Sequence, residues 1–300
     1  MIHPRIAARA FNTPLMVHAG KAAAIMAGLG GRMAGREINL QGAEILNHIA
    51  FDPSRVSLGT LGDTMGQSQT NQRLYDALQG TAIIRVEGTL VHKGGWVDSN
   101  SGETSYQGLQ AQIAQVRRDA SIKGVAFEFD TCGGEVSGAF ETADMLFQLS
   151  QEKPTIAILS DCAYSAGYLL ASACRQIVAP PQGGVGSIGV ITMHTDMSGA
   201  LAATGLNVTI LKAGLHKADA NPFEPLPADV ATSIIEELDE LRVAFATAVG
   251  TYRGARFSFD QAMATEAATY DGLEAVEMGL ADATAFPSDA FQAFLSALNT

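Results

Sequence analysis

The chain is short of cysteine, of basic residues and of long apolar runs, and each shortage removes a class of function. Its three cysteines, Cys132, Cys162 and Cys174, are odd in number and lack metal-ligand spacing. A disulfide scaffold and a cysteine-ligated metal centre are therefore not expected, and free thiols fit a reducing compartment such as cytoplasm. Only 19 Lys and Arg stand against 31 Asp and Glu, a formal net charge of −12. The cations are spread widely, whereas a phosphate-binding face needs them clustered, so nucleic acid is not an expected partner. The segment Leu15 to Gly30 contains His18 and Lys21 and is too short and polar to span a bilayer. Neither a transmembrane helix nor a cleavable signal is expected.

What is present suits a soluble globular protein. Three hundred residues with 47% hydrophobic content can bury a substantial core. Residues 1–75 differ in texture: Gly, Ala and Met recur up to Met33, and Ser57 to Asn71 is a polar run without periodicity. They read as an N-terminal extension and linker, followed by a main domain over 76–285 and a C-terminal tail over 286–300. From Thr81 strand and helix signals alternate. Strands are predicted at Thr81–Gly88, Gly124–Phe129, Thr155–Leu159, Gln176–Ala179, Ile188–Thr192 and Val208–Leu211. Helices are predicted at Tyr106–Arg118, Val136–Gln151, Ala166–Cys174, about Asp196–Thr204 and Ala228 to about Thr251. This alternation predicts an α/β fold with a mostly parallel sheet. The last helix carries an apolar stripe (Val230, Ile234, Leu238, Leu241, Phe245, Val249) for a core or a partner subunit, and its acids read as a solvated face.

Two groups of residues carry chemistry. Ser165 stands in Asp161-Cys-Ala-Tyr-Ser-Ala-Gly-Tyr168, a small-residue turn leading into an apolar stretch, and Lys217 follows in Gly214-Leu-His-Lys217. A serine at a helix start and a lysine beyond two strand-like segments form a candidate peptidase dyad. A serine there is more often a cap, and a lysine more often a surface residue. Lysine acts as a base only when neutral, which requires desolvation or nearby positive charge. Asp130-Thr-Cys-Gly-Gly134 closes a strand and opens a helix. The amides of Gly133 and Gly134 can face one concavity there, joined by that of Ala166, an oxyanion hole in outline; a plain tight turn is the common alternative. Ser187, in Gly186-Ser-Ile-Gly189, can orient the lysine and relay its proton. His194 and His216 are alternative bases, although a lone histidine is more often structural.

These blocks, with Gly186-Ser-Ile-Gly-Val and the closing Tyr270-Asp-Gly…Gly279-Leu-Ala-Asp282, resemble the signal peptide peptidase A family of Ser/Lys peptidases from about Thr81 to Ala283. Within it, Ile6-Ala-Ala-Arg-Ala-Phe-Asn-Thr-Pro-Leu-Met16, Gly88-Thr-Leu-Val91, Leu169-Leu-Ala-Ser-Ala173 and His216-Lys-Ala-Asp-Ala-Asn-Pro222 are similar to phage head maturation proteases. The resemblance implies a ClpP/crotonase-like spiral fold, with Ser165 as nucleophile, Lys217 as base and Ser187 assisting. It implies that Gly133, Gly134 and the Ala166 amide hold the oxyanion, with no metal or cofactor. Scaffold, portal and other head proteins are the implied substrates, a homo-oligomer the implied form, and the procapsid in the host cytoplasm the implied location. The related Clp peptidase has its histidine where Val190 stands here, which favours lysine. Cys132 replaces the family's usual proline; a cysteine nucleophile there would have no histidine beside it. Such phage proteins continue into a scaffold region that this chain largely lacks, so a separate scaffold chain, or truncation, is expected. A cellular signal-peptide peptidase, which ought to carry a membrane anchor, a crotonase-type acyl-CoA enzyme and a non-catalytic assembly module are the alternatives.

Overall fold

The structure is a computed structural model and describes residues 13–19, 22, 73–94 and 102–299. The polar run Ser57 to Asn71 lies outside the described residues. The chain divides into two compact units: Met16–His18, Asp52–Gly189 and Val243–Thr300 form the larger, and Met1–Leu15, Ala19–Phe51 and Val190–Arg242 the smaller.

The elements in chain order are strands β1 (Leu15–Val17), β2 (Asp76–Leu78), β3 (Thr81–Val91) and β4 (Glu103–Ser105), helix α1 (Tyr106–Arg118), β5 (Gly124–Glu135), α2 (Ala139–Glu152), β6 (Thr155–Tyr164), α3 (Ala166–Ser172), β7 (Gln176–Ala179) and β8 (Gly184–Gly186). Then come α4 (Ser198–Ala203), α5 (Ala228–Arg253), α6 (Phe259–Ala264), β9 (Thr269–Asp271), α7 (Gly272–Met278), β10 (Ala283–Thr284) and α8 (Pro287–Leu298). The main sheet runs β10-β7-β6-β5-β3-β2, with β1 joined to β5, β4 to β3, and β8 to β6 and β9. Most pairs, including β3–β5, β5–β6, β6–β7 and β6–β8, are parallel; β2–β3 and β8–β9 are antiparallel. The expected α/β class with a mostly parallel sheet and flanking helices is thus what the chain adopts.

The sequence explains why. Val125, Ala126, Phe127 and Phe129 of β5 are all buried, the near-continuous apolar run of a strand covered on both faces. Burying each phenylalanine contributes about 1.5–3 kcal/mol relative to leaving it in water. Helix α1 begins at Ser105, whose side chain accepts the Gly108 amide, and buries Leu109, Ile113 and Val116, the face its spacing predicts. Helix α2 starts at Ala139 rather than the expected Val136 because Gly138 is left-handed at φ +87°.

Two predicted strands are corrected. Around Ile188–Thr192 the strand ends earlier, as β8, because Gly186 and Ser187 take φ of +102° and +56° and break the pleat. Only Ile191 of that stretch pairs, in an isolated bridge to Leu15. Val208–Leu211 forms no strand: it has no ladder partner, and Leu211 is 92% exposed.

Candidate active site

The site begins with a fault in the sheet. Along β5, Gly88↔Thr131 is followed by Leu90↔Gly134, so β5 carries one residue more than β3 across this step, a β-bulge. Gly133 occupies the bulge at φ +93°. The side chain of Thr131 satisfies the groups the bulge would orphan: its hydroxyl donates to the Gly88 carbonyl at 2.5 Å and accepts the Gly133 amide at 3.1 Å. A Cβ on Gly134 would lie 1.9 Å from the Leu90 carbonyl, so only glycine lets the strands close here.

On the other side of β5, pairing with β6 steps from Phe129↔Leu159 to Thr131↔Ala163. Strand β6 then turns into α3 at Ser165. That residue has φ +54° and ψ −120°, its amide donates to the Gly186 carbonyl at 2.9 Å, and its hydroxyl makes no capping hydrogen bond. A non-glycine residue at such angles stores roughly 1–3 kcal/mol of strain, which the packing around it must hold. All of α3 is buried, which supplies that packing. The Ser165 hydroxyl lies 3.5 Å from the Gly189 carbonyl, a long contact that leaves it available for chemistry. Gly167 admits the Thr131 methyl: a Cβ there would be 2.4 Å from Thr131 Cγ2.

The structure thus brings Ser165, Ala166, Gly133 and Ser187 into one region of the larger unit. A Cβ on Gly133 would stand 3.0 Å from Ser165 Cβ. Ser187 follows the carbonyl that binds the Ser165 amide, is 8% exposed, and donates its own amide to Ala268. Lys217 belongs to the smaller unit, in a turn after Gly214 (φ +101°), and is exposed. His216 beside it is paired to Asp219 at 2.8 Å, and His194 also lies in the smaller unit.

Charge near the turn is negative. Asp130, Asp161 and the Cys162 thiol have ligand atoms within 4.8 Å of one another, and both carboxylates are exposed. The Asp130 carboxyl is raised by burial and by the charges of Asp161 and Glu128. The Cys162 thiol is pushed far up by its hydrogen bond to Cys132, by burial and by the neighbouring acids. Cys162 therefore keeps its proton.

Sequence reasoning read Gly167 only as a small neighbour of Ser165 and passed over Thr131 and Met16–His18. Thr131 is the residue before a Cys-Gly-Gly bulge, and a hydroxyl there is the one available signal. No local pattern announces that Met16 reaches Gly133.

A model of peptidase family S49 matches residues 148–299. Head-tail preconnector protein GP5 of Enterobacteria phage P21 is 36% identical over 295 residues, 98% of this chain and 58% of that protein. Capsid assembly protease C of Escherichia phage lambda is 35% identical over 296 residues, 99% of this chain and 66% of that protein. The chain therefore spans less than two thirds of the length of these two relatives. Among solved structures, an enoyl-CoA hydratase from Shewanella pealeana ATCC 700345 aligns over 80% of this chain and 78% of that one, with a TM-score of 0.43 and 12% identity.

Proposed function

The chain belongs to peptidase family S49, and on that footing we propose that it is a serine endopeptidase of phage head maturation. The observation that carries this reading is Ser165, strained at the β6–α3 turn with its hydroxyl unused as a cap, against the Gly133 bulge. In the proposed reaction neutral Lys217 takes the Ser165 proton as Oγ attacks a peptide carbonyl, with Ser187 orienting the amine. The oxyanion is held by the amides of Gly134 and Ala166; the Gly133 amide, expected from the sequence as a further donor, is engaged by the Thr131 hydroxyl and fixes the bulge that aims its neighbours. Each donor contributes roughly 3–4 kcal/mol to the transition state. The intermediate collapses with cleavage of the C–N bond as the Lys217 ammonium returns the proton to the leaving amine; neutral Lys217 then deprotonates the water that hydrolyses the acyl-enzyme, and no step calls for a metal or cofactor.

Lys217 is exposed in the single chain, so the desolvation its role demands has to come from a covering surface. A homo-oligomer supplies one. Among residues 190–242 none is buried, and Leu206, Leu211, Leu215 and Ile235 are 58–92% exposed, an apolar surface that suits a second copy of the chain. The similarity to the lambda capsid assembly protease supports scaffold, portal and other head proteins as substrates, and the host-cell procapsid as the place of action. Among the described residues no helix is long and apolar enough to cross a membrane.

Labelling with a fluorophosphonate probe, alongside hydrolysis of a capsid-scaffold substrate, tests the proposal. Wild type is expected to label, and Ser165→Ala and Lys217→Ala are not; labelling that survives Ser165→Ala overturns it.

A further inference from the structure

Strand β5 loses its β6 neighbour at Thr131↔Ala163, because β6 turns away at Ser165 to start α3. From Cys132 onward β5 therefore presents a fresh edge, and whatever pairs with that edge runs beside Ser165. Extended peptides bind proteins by adding to such edges. Here the edge is already taken by the chain itself. Strand β1 pairs with β5, and the His18 amide donates to the Cys132 carbonyl at 2.9 Å.

The fit is close. The Met16 carbonyl sits against Gly133, 2.1 Å from where a Cβ would be, and that Cβ would in turn be 3.0 Å from Ser165 Cβ. The His18 ring stacks on Tyr164, the residue before Ser165, with centroids 5.0 Å apart. Met16 is 0% and Val17 5% exposed, and Ser165 beside them is 0% exposed.

We propose that Met16–His18 is a tethered peptide lying in the substrate groove of Ser165. The reading rests on Ser165 being the nucleophile and adds the kind of substrate it takes: an extended apolar segment of the Met-Val type, main chain paired to β5 at Cys132–Gly133, with a carbonyl set against the bulge. The resting chain blocks its own site, and a substrate has to displace the strand.

The test uses the full chain. Met16→Glu/Val17→Glu places charge on a fully buried strand and expels it; Met16→Gly weakens its seat without adding charge. If the open groove is a minor state in wild type, expelling the strand raises apparent affinity and rate by the inverse of that population, about tenfold or more. Fluorophosphonate labelling of Ser165 is accordingly expected to accelerate about tenfold in the double variant and less in Met16→Gly. A fluorescent Thr-Pro-Leu-Met-Val-His peptide is expected to bind the double variant at least about tenfold more tightly than wild type, and to slow its labelling in competition. Should the double variant fail to fold by circular dichroism, Met16→Gly decides. Unchanged or slower labelling in folded variants, or equal peptide affinity for wild type and variant, overturns the proposal and makes β1 an ordinary strand of the sheet. If wild type and variants all fail to label, the serine-peptidase reading has failed instead, and the peptide-affinity contrast alone decides what β1 occupies.

Discussion

At the residue scale, Thr131 shows how a side chain with no chemistry of its own can shape a site. Its hydroxyl bridges the Gly88 carbonyl and the Gly133 amide, and its methyl fills the space above Gly167. Thr131→Val keeps the volume and removes the bridge. Proteolytic kcat is expected to fall about tenfold with KM little changed, while Thr131→Ser stays close to wild type. Loss in Thr131→Ser with Thr131→Val unaffected would show that the methyl matters and the hydroxyl does not. The methyl has its own test. Gly167→Ala overpacks against Thr131 Cγ2 and is expected to lower stability by about 1–3 kcal/mol. Thr131→Ser removes that methyl, so the double variant Gly167→Ala/Thr131→Ser should recover much of the loss in a double-mutant cycle read by urea unfolding. Strict additivity would show that the two residues do not press on each other. Ser165 was legible because small residues at a strand-to-helix turn announce a close approach, whereas Gly133-Gly134, expected as a turn opening a helix, lies inside β5 as a bulge. Thr131 was not legible, because its part depends on a bulge that only the register with β3 reveals.

At the element scale, helices α1 and α5 begin where their spacing places them, with Ser105 capping α1, since those signals are local. The failures share one cause. The stretch after Gly186 is apolar enough for a strand but bends through two positive φ values, and Val208–Leu211 has strand composition without a neighbour. The closing Gly279-Leu-Ala-Asp282 block, read only as part of a resemblance, has a structural task. The Arg253 side chain at the end of α5 is 0% exposed, donates to both Asp282 oxygens at 2.8 and 3.1 Å, and donates to the Gly279 carbonyl. Asp282 also accepts the Ile177 amide and Arg256. Burial alone would raise the Asp282 carboxyl, but Arg253, the Ile177 amide and Arg256 outweigh it and hold the group below the usual carboxylate range. A depressed folded value stabilises the protein above the unfolded value, about 4, and that stability is lost as pH falls through the folded value. Thermal melts should therefore drop below about pH 4. Asp282→Asn is expected to be less stable at neutral pH by about 3–5 kcal/mol, because it leaves Arg253 buried without its charge partner, and to show a smaller acid-dependent drop. A variant melting like wild type at both pH values would remove the network from the account.

At the scale of the whole molecule, the candidate dyad is divided between two units, and one of its members is exposed. An oligomer built on residues 190–242 is expected to show concentration-dependent labelling of Ser165 and a sedimentation coefficient above that of a monomer. Ile235→Glu, on the exposed half of α5, should reduce both together; monomeric wild type with full activity would dismiss this form. The candidate chemistry was read from the sequence alone, because residue types and their order are the sequence itself and the alternation of strand and helix depends on neighbours a few positions away. Tertiary structure decided what depends on register and exposure. It placed a bulge at Gly133, strained Ser165 out of its capping role, brought the remote Met16 beside it, and left Lys217 uncovered. Those outcomes follow from which strands meet and what each meeting leaves for water, and no local pattern records that.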